Sequence, residues 1–389
     1  MKTLYQKFEI LLQNTTTDFK RYLYDEIAWD SRMIGIIGPR GVGKTTMILQ
    51  YIKENLGSKR ALYISADDMY FSDTKLVDLA DAFNKSAGEY LFVDEIHKYE
   101  NWSQELKNIY DSYPDLKVVF TGSSVLDILK GSADLSRRAL MYKLQGLSFR
   151  EYLNFFHNNE LEIFTLEDII NGKIRLKDIK HPLPLFNDYL QRGYYPFGVE
   201  NELNLRLGQI VVQTLETDIP QYANMNVATS RKLKRLLSII SESVPFKPNS
   251  SKIAEMIKVS RNSLDDYFTY MEKAGLISQL RNETSGIRGL GKVDKVYLDN
   301  TNLIFSLAGE KSNIGNMRET FFLNQMRVRN EVVSSKNADF VIKDYTFEVG
   351  GKNKQQNQIE KDGKSYIVKD DIEFGYMNII PLWAFGLNY

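Results

Sequence analysis

Gly38-Pro39-Arg40-Gly41-Val42-Gly43-Lys44-Thr45 fits the pattern G-x-x-x-x-G-K-[ST] of a phosphate-binding loop. The run before it, Met33-Ile34-Gly35-Ile36-Ile37, reads as a short buried strand. The run after it, Thr46-Met47-Ile48-Leu49-Gln50-Tyr51-Ile52, reads as the opening of a helix. The motif needs that strand–loop–helix setting. Its glycines let successive backbone N–H groups curl around a phosphate, and the helix N-terminus adds positive potential. Lys44 is expected to reach the β- and γ-phosphates, and the Thr45 hydroxyl to ligate Mg2+.

Working outward, Tyr90-Leu91-Phe92-Val93-Asp94-Glu95 is an apolar strand that ends in two carboxylates. In that pattern Asp94 holds Mg2+ through water, and Glu95 acts as general base on the attacking water. An intervening strand, Lys59-Arg60-Ala61-Leu62-Tyr63-Ile64, accounts for the distance from the loop. A further strand, Lys117-Val118-Val119-Phe120-Thr121, leads into Gly122-Ser123-Ser124. A polar side chain at its tip could sense the γ-phosphate; Ser123 is the first candidate and Thr121 the second. Gly-Ser-Ser also suits an ordinary turn.

The chain has 389 residues, enough for two or three domains. Fifty basic and fifty acidic residues cancel, so no global field draws it to nucleic acid or membrane. Cysteine is absent, which excludes disulfides and cysteine metal sites. The three histidines, His97, His157 and His181, lie far apart in sequence. No secretory signal core and no membrane-length apolar run is legible, so a cytoplasmic protein is expected.

Residues 1–30 read as helices leading into the first core strand, and residues 31–145 alternate strand and helix. That alternation implies a parallel sheet covered on both faces, with ligands at the C-terminal strand ends. Residues 1–146 are thus expected to form the nucleotide-binding core, and residues 147–225 a helical lid. Residues 226–312 carry an amphipathic helix (231–243), a short helix at 251–257 and a turn at Val259-Ser260-Arg261-Asn262. Leu264, Tyr267, Phe268, Met271 and Ala274 then recur at helical spacing, and Gly275 stops that helix. Two strands, Leu276-Ile277-Ser278-Gln279-Leu280 and Lys295-Val296-Tyr297-Leu298, complete a winged helix-turn-helix pattern.

Residues 226–300 hold 13 Lys/Arg and 8 Asp/Glu, a net of +5. Arg261, Asn262, Arg281 and Arg288 could contact DNA weakly and without sequence preference, but Asp265 and Asp266 oppose close base readout. Docking of a protein partner is the other reading of this module. Residues 313–389 hold a helix near 316–329 and two strand-like runs, 339–342 and 345–349. Asp339, Glu348 and Lys352 could form a metal-dependent nuclease site there, but Glu348 and Lys352 could face one metal only if Gly350 and Gly351 bulge the strand.

Taken together, these segments resemble the prokaryotic AAA+-type P-loop ATPases that join a core to a C-terminal region of unknown function. The matching residues include Gly38 to Thr46, Leu91-Phe92-Val93-Asp94-Glu95-Ile96-His97-Lys98 with Trp102, and Thr121-Gly122-Ser123-Ser124. Leu147-Ser148-Phe149-Arg150-Glu151-Tyr152, Arg192-Gly193-Tyr194-Tyr195-Pro196, Asp218-Ile219, Lys295-Val296-Tyr297-Leu298-Asp299 and Gly315-Asn316-Met317-Arg318-Glu319 match as well. The resemblance implies an α/β P-loop NTPase sheet, a helical lid, a winged helix and a small α+β restriction-endonuclease-like domain. It places Arg138 at the position of an arginine finger, which a neighbouring subunit commonly supplies, and so implies a homo-oligomer. The usual Glu-x-Lys of the nuclease-like domain is broken here by two extra residues in Glu348-Val349-Gly350-Gly351-Lys352, so degeneracy is expected.

The expected activity is binding and hydrolysis of ATP with Mg2+, coupled to the winged helix. The alternative is a slow ATP-dependent switch or DNA-binding regulator, and the third is a metal-dependent nuclease.

Overall fold

The computed structural model describes residues 1–57, 60–122, 135, 137–176, 179–223, 225, 227–242, 248–283, 292–308, 314–335, 338–353 and 364–389. The chain divides into two compact units, Met1–Gly146 and Leu147–Tyr389.

The first unit is built on five parallel strands, β1 (Met33–Ile37), β2 (Ala61–Ser65), β3 (Tyr90–Asp94), β4 (Lys117–Gly122) and β5 (Leu140–Lys143). Their order in the sheet is β2-β3-β4-β1-β5. β1 and β3 are buried at every residue, as a parallel sheet covered on both faces requires. Helices α1 (Lys2–Asn14), α2 (Lys44–Tyr51), α3 (Leu76–Lys85) and α4 (Trp102–Ser112) supply the cover. α1 docks through Leu4 and Phe8, and the Phe8 ring stacks on Tyr63.

The helical reading of residues 1–30 holds only to Asn14; Thr15-Thr16-Thr17 follows, and β-branched residues with local hydroxyl bonding favour leaving the helix. Strand β5 was not expected. It pairs with β1 in register Ile34↔Leu140, but it is an edge strand whose residues are largely exposed, so it carries no apolar run.

The second unit begins with α5 (Phe149–His157), whose start is fixed by a capping box between Ser148 and Glu151. Helices α6 (Leu166–Ile170), α7 (Pro182–Asp188), α8 (Leu203–Gln213) and α9 (Ile219–Ala223) follow. A π-helical turn, Tyr189–Gly193, follows α7. Next come α10 (Val227–Glu242), α11 (Ser250–Ile257) and α12 (Arg261–Lys273), which Ser260 caps. Leu264, Tyr267, Phe268 and Met271 form the buried face of α12, and Gly275, at φ +74°, follows its end. Strands β6 (Ile277–Arg281) and β7 (Val293–Leu298) form an antiparallel pair.

After α13 (Thr301–Ala308) and α14 (Ile314–Met326) comes a second five-stranded sheet. It comprises β8 (Val333–Ser334), β9 (Phe340–Ile342), β10 (Tyr345–Gly350), β11 (Ser365–Lys369) and β12 (Ile379–Pro381). β10, β11 and β12 run parallel, and β9 is antiparallel to β10. Phe322 of α14 packs against Phe340, Phe347 and Phe385, which joins helix and sheet in one core.

Candidate functional site

The phosphate loop leaves β1 at Gly38 and returns to helix at Lys44. Gly41 (φ +78°) and Gly43 (φ +95°) occupy backbone conformations that side chains disfavour. A Cβ on Gly38 would stand 2.2 Å from the Leu144 carbonyl oxygen, so no larger residue fits there. The Lys44 side chain is buried, and Nζ donates to the carbonyls of Gly38 and Pro39, 2.8 Å each. The ammonium therefore lies across the loop whose phosphates it is expected to neutralise.

Asp94 stands at the C-terminal end of β3, and four donors converge on its carboxylate. Thr45 Oγ1 donates to Oδ2 at 2.6 Å and the Tyr63 hydroxyl to the same oxygen at 2.7 Å. Thr121 Oγ1 and the Glu95 backbone N–H donate to Oδ1, the latter at 3.0 Å. Burial, then the charge of Asp94, pushes the Tyr63 phenol well above its usual range, so it remains a proton donor. Thr45 and Asp94 present hard oxygen donors side by side, which suits a small ion such as Mg2+ that takes few protein ligands and keeps waters. Among the described residues no three His, Cys, Asp or Glu side chains cluster to hold a metal by themselves.

Glu95 has a left-handed backbone, φ +52°, which turns its side chain out of the strand direction. Its Oε2 lies 4.0 Å from Arg40 Nη1 and 3.6 Å from His97 Nε2. The expected sensor Ser123 lies outside the described residues; Thr121, the second candidate, is fully buried and bonded to Asp94.

Arg21 was missed by sequence reasoning. Its buried guanidinium donates to the carbonyls of Val42, Gln145 (2.7 Å) and Gly146 (2.9 Å), and so ties the phosphate loop to the chain after β5. A single arginine seventeen residues before the motif carries no local pattern that could have revealed it.

Arg138 precedes β5, which starts level with the start of β1, at the edge of the sheet opposite the phosphate loop. A five-residue strand separates the two edges by about 17 Å. At its own edge Arg138 grips Asp111 through two hydrogen bonds of 3.0 Å each, and this holds the Asp111 carboxyl below its ordinary range.

In the second unit, Lys295 Nζ stands 3.0 Å from both Glu319 Oε2 and Asp339 Oδ1, and the Tyr297 hydroxyl donates to Glu319 at 2.7 Å. The lysine at this acidic pair therefore comes from β7. Lys352, the positional expectation, is exposed in the turn after β10. Burial and the neighbouring Asp339 raise the Glu319 pKa, and the two carboxylates keep the Lys295 ammonium charged. Of the residues considered for DNA, Arg261, Asn262, Asp265 and Asp266 are exposed on α12, Arg281 lies 3.6 Å from Glu272, and Arg288 lies outside the described residues.

Residues 30–153 match the AAA domain family, and residues 183–313 match a domain of unknown function, DUF8612. The first match lies over the five-stranded parallel sheet and its loop, so the N-terminal unit is similar to an AAA-type P-loop domain. The chain is similar to the uncharacterized protein MJ1637 of Methanocaldococcus jannaschii, 27% identical over 70% of this chain and 64% of that protein. It thus spans just under two thirds of that relative's length. The uncharacterized protein MJ1544 of the same organism is 24% identical over 91% of this chain and 88% of its own. Among solved structures, the Walker-type ATPase PABY2304 of Pyrococcus abyssi aligns at 14% identity and a TM-score of 0.45, over 76% of this chain and 99% of that one. Among the described residues no helix is long and apolar enough to cross a membrane.

Proposed function

We propose that this protein binds and hydrolyses ATP at the N-terminal unit and uses the nucleotide cycle to change the state of the helical and C-terminal regions. The observation that carries this reading is the carboxylate of Asp94, joined to Thr45 of the phosphate loop at 2.6 Å, with Glu95 as the next residue. Gly38, Pro39, Gly41, Val42, Gly43 and Thr46 shape the loop around the phosphates, Arg40 carries its guanidinium from the same loop to Glu95, and Lys44 neutralises the phosphates. Thr45 and Asp94 would hold Mg2+, which supplies charge neutralisation at the β- and γ-phosphates.

Glu95 takes a proton from water as the water oxygen bonds to the γ-phosphorus. The bond to the β–γ bridging oxygen breaks, ADP leaves with that electron pair, and the proton passes on to the released phosphate. Thr121 fixes the tip of β4 against Asp94, and Ser123 is proposed to read the γ-phosphate.

The test measures ATP binding and phosphate release by the purified chain and by Lys44→Ala, each with Mg2+. Saturable binding and turnover that Lys44→Ala abolishes support the reading. Equal behaviour of the two proteins would remove it. Turnover on the order of 1 s⁻¹ fits an enzyme that performs work, and far slower turnover with retained nucleotide fits the switch.

A further inference from the structure

Arg40 occupies the second of the four variable positions of the phosphate loop, and it is positioned against the candidate base. Its Nη1 lies 4.0 Å from Glu95 Oε2, and the two side chains are 16% and 24% exposed. The same oxygen is 3.6 Å from His97 Nε2, on a side chain only 2% exposed. The Glu95 backbone is pinned as well, since its N–H points to Asp94 Oδ1 and to Thr121 Oγ1 at 3.3 Å. The Glu95 carboxylate is therefore approached by one group from the phosphate loop and one from the turn after β3.

A general base of this kind works through one water, so the γ-phosphorus must sit roughly one water diameter beyond its oxygen. A guanidinium carried by the phosphate loop itself and 4.0 Å from that oxygen is consequently within a side-chain rotation of the γ-phosphate oxygens. Coulomb attraction scales with the product of charges. A γ-phosphate carrying two negative charges competes for Arg40 better than one carboxylate does, and the planar fork of arginine matches phosphate oxygens in pairs.

We propose that Arg40 is an arginine finger supplied in cis: ATP draws it from Glu95 to the γ-phosphate, where it stabilises transition-state charge while the freed base stays oriented by His97. This rests on the ATPase reading above. It adds a second arginine to the site, on the subunit's own loop, apart from any contribution of Arg138 across an interface. No atom is transferred by Arg40; the proton still passes from water to Glu95, and the leaving ADP takes the bridging oxygen's electron pair.

The experiment compares the full chain with Arg40→Ala and Arg40→Lys in three measurements: ADP affinity, ATP turnover, and trapping of ADP by aluminium fluoride, which mimics the transferring phosphoryl group. ADP lacks the γ-phosphate, so Arg40→Ala should hold it within about threefold of the parent. Turnover should fall on the order of a hundred- to a thousandfold, and aluminium fluoride should no longer trap ADP. Arg40→Lys keeps the charge without the fork and should recover only a minor part, with a melting temperature like the parent's. Parent-level turnover and trapping in Arg40→Ala would overturn the proposal. So would ADP affinity and turnover falling together, because Arg40 would then only shape the loop. A parent chain that neither binds nor hydrolyses nucleotide would instead sink the ATPase reading, and this inference with it.

Discussion

Thr45 Oγ1 donates to Asp94 Oδ2 across 2.6 Å, and this one bond joins the first turn of α2 to the tip of β3. β4 lies between β1 and β3 in the sheet, so the contact spans a strand that contributes its own hydroxyl, Thr121, to the same carboxylate. The two sequence motifs, 49 residues apart, meet because a parallel sheet delivers all its C-terminal strand ends to one edge.

Arg21→Ala should damage this arrangement from behind. It removes three bonds from a buried guanidinium and leaves the carbonyls of Val42, Gln145 and Gly146 without that donor. A loss of about 3 kcal/mol in stability is expected, with ATP affinity weakened about tenfold. Chemical unfolding and a nucleotide titration check both; an unchanged affinity would show that the brace does not shape the loop.

Two glycine substitutions should move stability in opposite directions. Gly38→Ala drives a Cβ to 2.2 Å from a backbone oxygen, so it should cost 1–3 kcal/mol, roughly, and abolish ATP binding. Gly208, inside α8, has open space where its Cβ would go. Gly208→Ala should therefore raise stability by about 0.5–1 kcal/mol through helix propensity and a less flexible unfolded chain. Thermal melts of the two variants give the comparison.

Lys295→Met should uncover two facing carboxylates in the second unit. At neutral pH a cost of about 3–5 kcal/mol is expected, as for other half-removed buried pairs. The pH dependence has a definite sign. The folded pKa of Glu319 lies above its unfolded value, so its proton-linked contribution is present below the ordinary glutamate range and is lost as pH rises through the folded value. Removing Lys295 raises that folded value further. The defect should therefore be small near pH 4 and grow toward pH 7. Urea unfolding at both pH values measures it, and a pH-independent defect would contradict the assigned charge balance.

How much of this was legible beforehand follows from burial. β1 and β3 announced themselves because both are buried at every residue, and β3 closes an apolar run on Asp94. β5 did not, because an exposed edge strand needs no apolar pattern. β11 and β12 escaped because the expected organisation stopped at Val349. Asp94, Glu95 and Lys44 stand out as candidates by motif spacing, whereas Tyr63 and Arg21 make contacts 31 and 21 residues away in sequence, which no window reveals. Lys295 read only as a strand residue, since its partners Glu319 and Asp339 come from later elements.

Arg138 should matter between subunits, not within one. It lies at the far edge of its own sheet, gripped by Asp111. Specific activity is expected to rise with protein concentration until assembly saturates. Arg138→Ala should lose on the order of a thousandfold in turnover and be partly rescued by mixing with Lys44→Ala. A flat dilution series without rescue would leave Arg138 as a structural partner of Asp111.

Glu95→Gln tests the account most directly, because it changes one oxygen of the candidate base and leaves the phosphate loop intact. ATP affinity measured by titration should match the parent within a few-fold, while phosphate release in the same preparation should fall at least on the order of a hundredfold. Hydrolysis by Glu95→Gln at the parent rate would contradict the account, since the water would then be activated elsewhere.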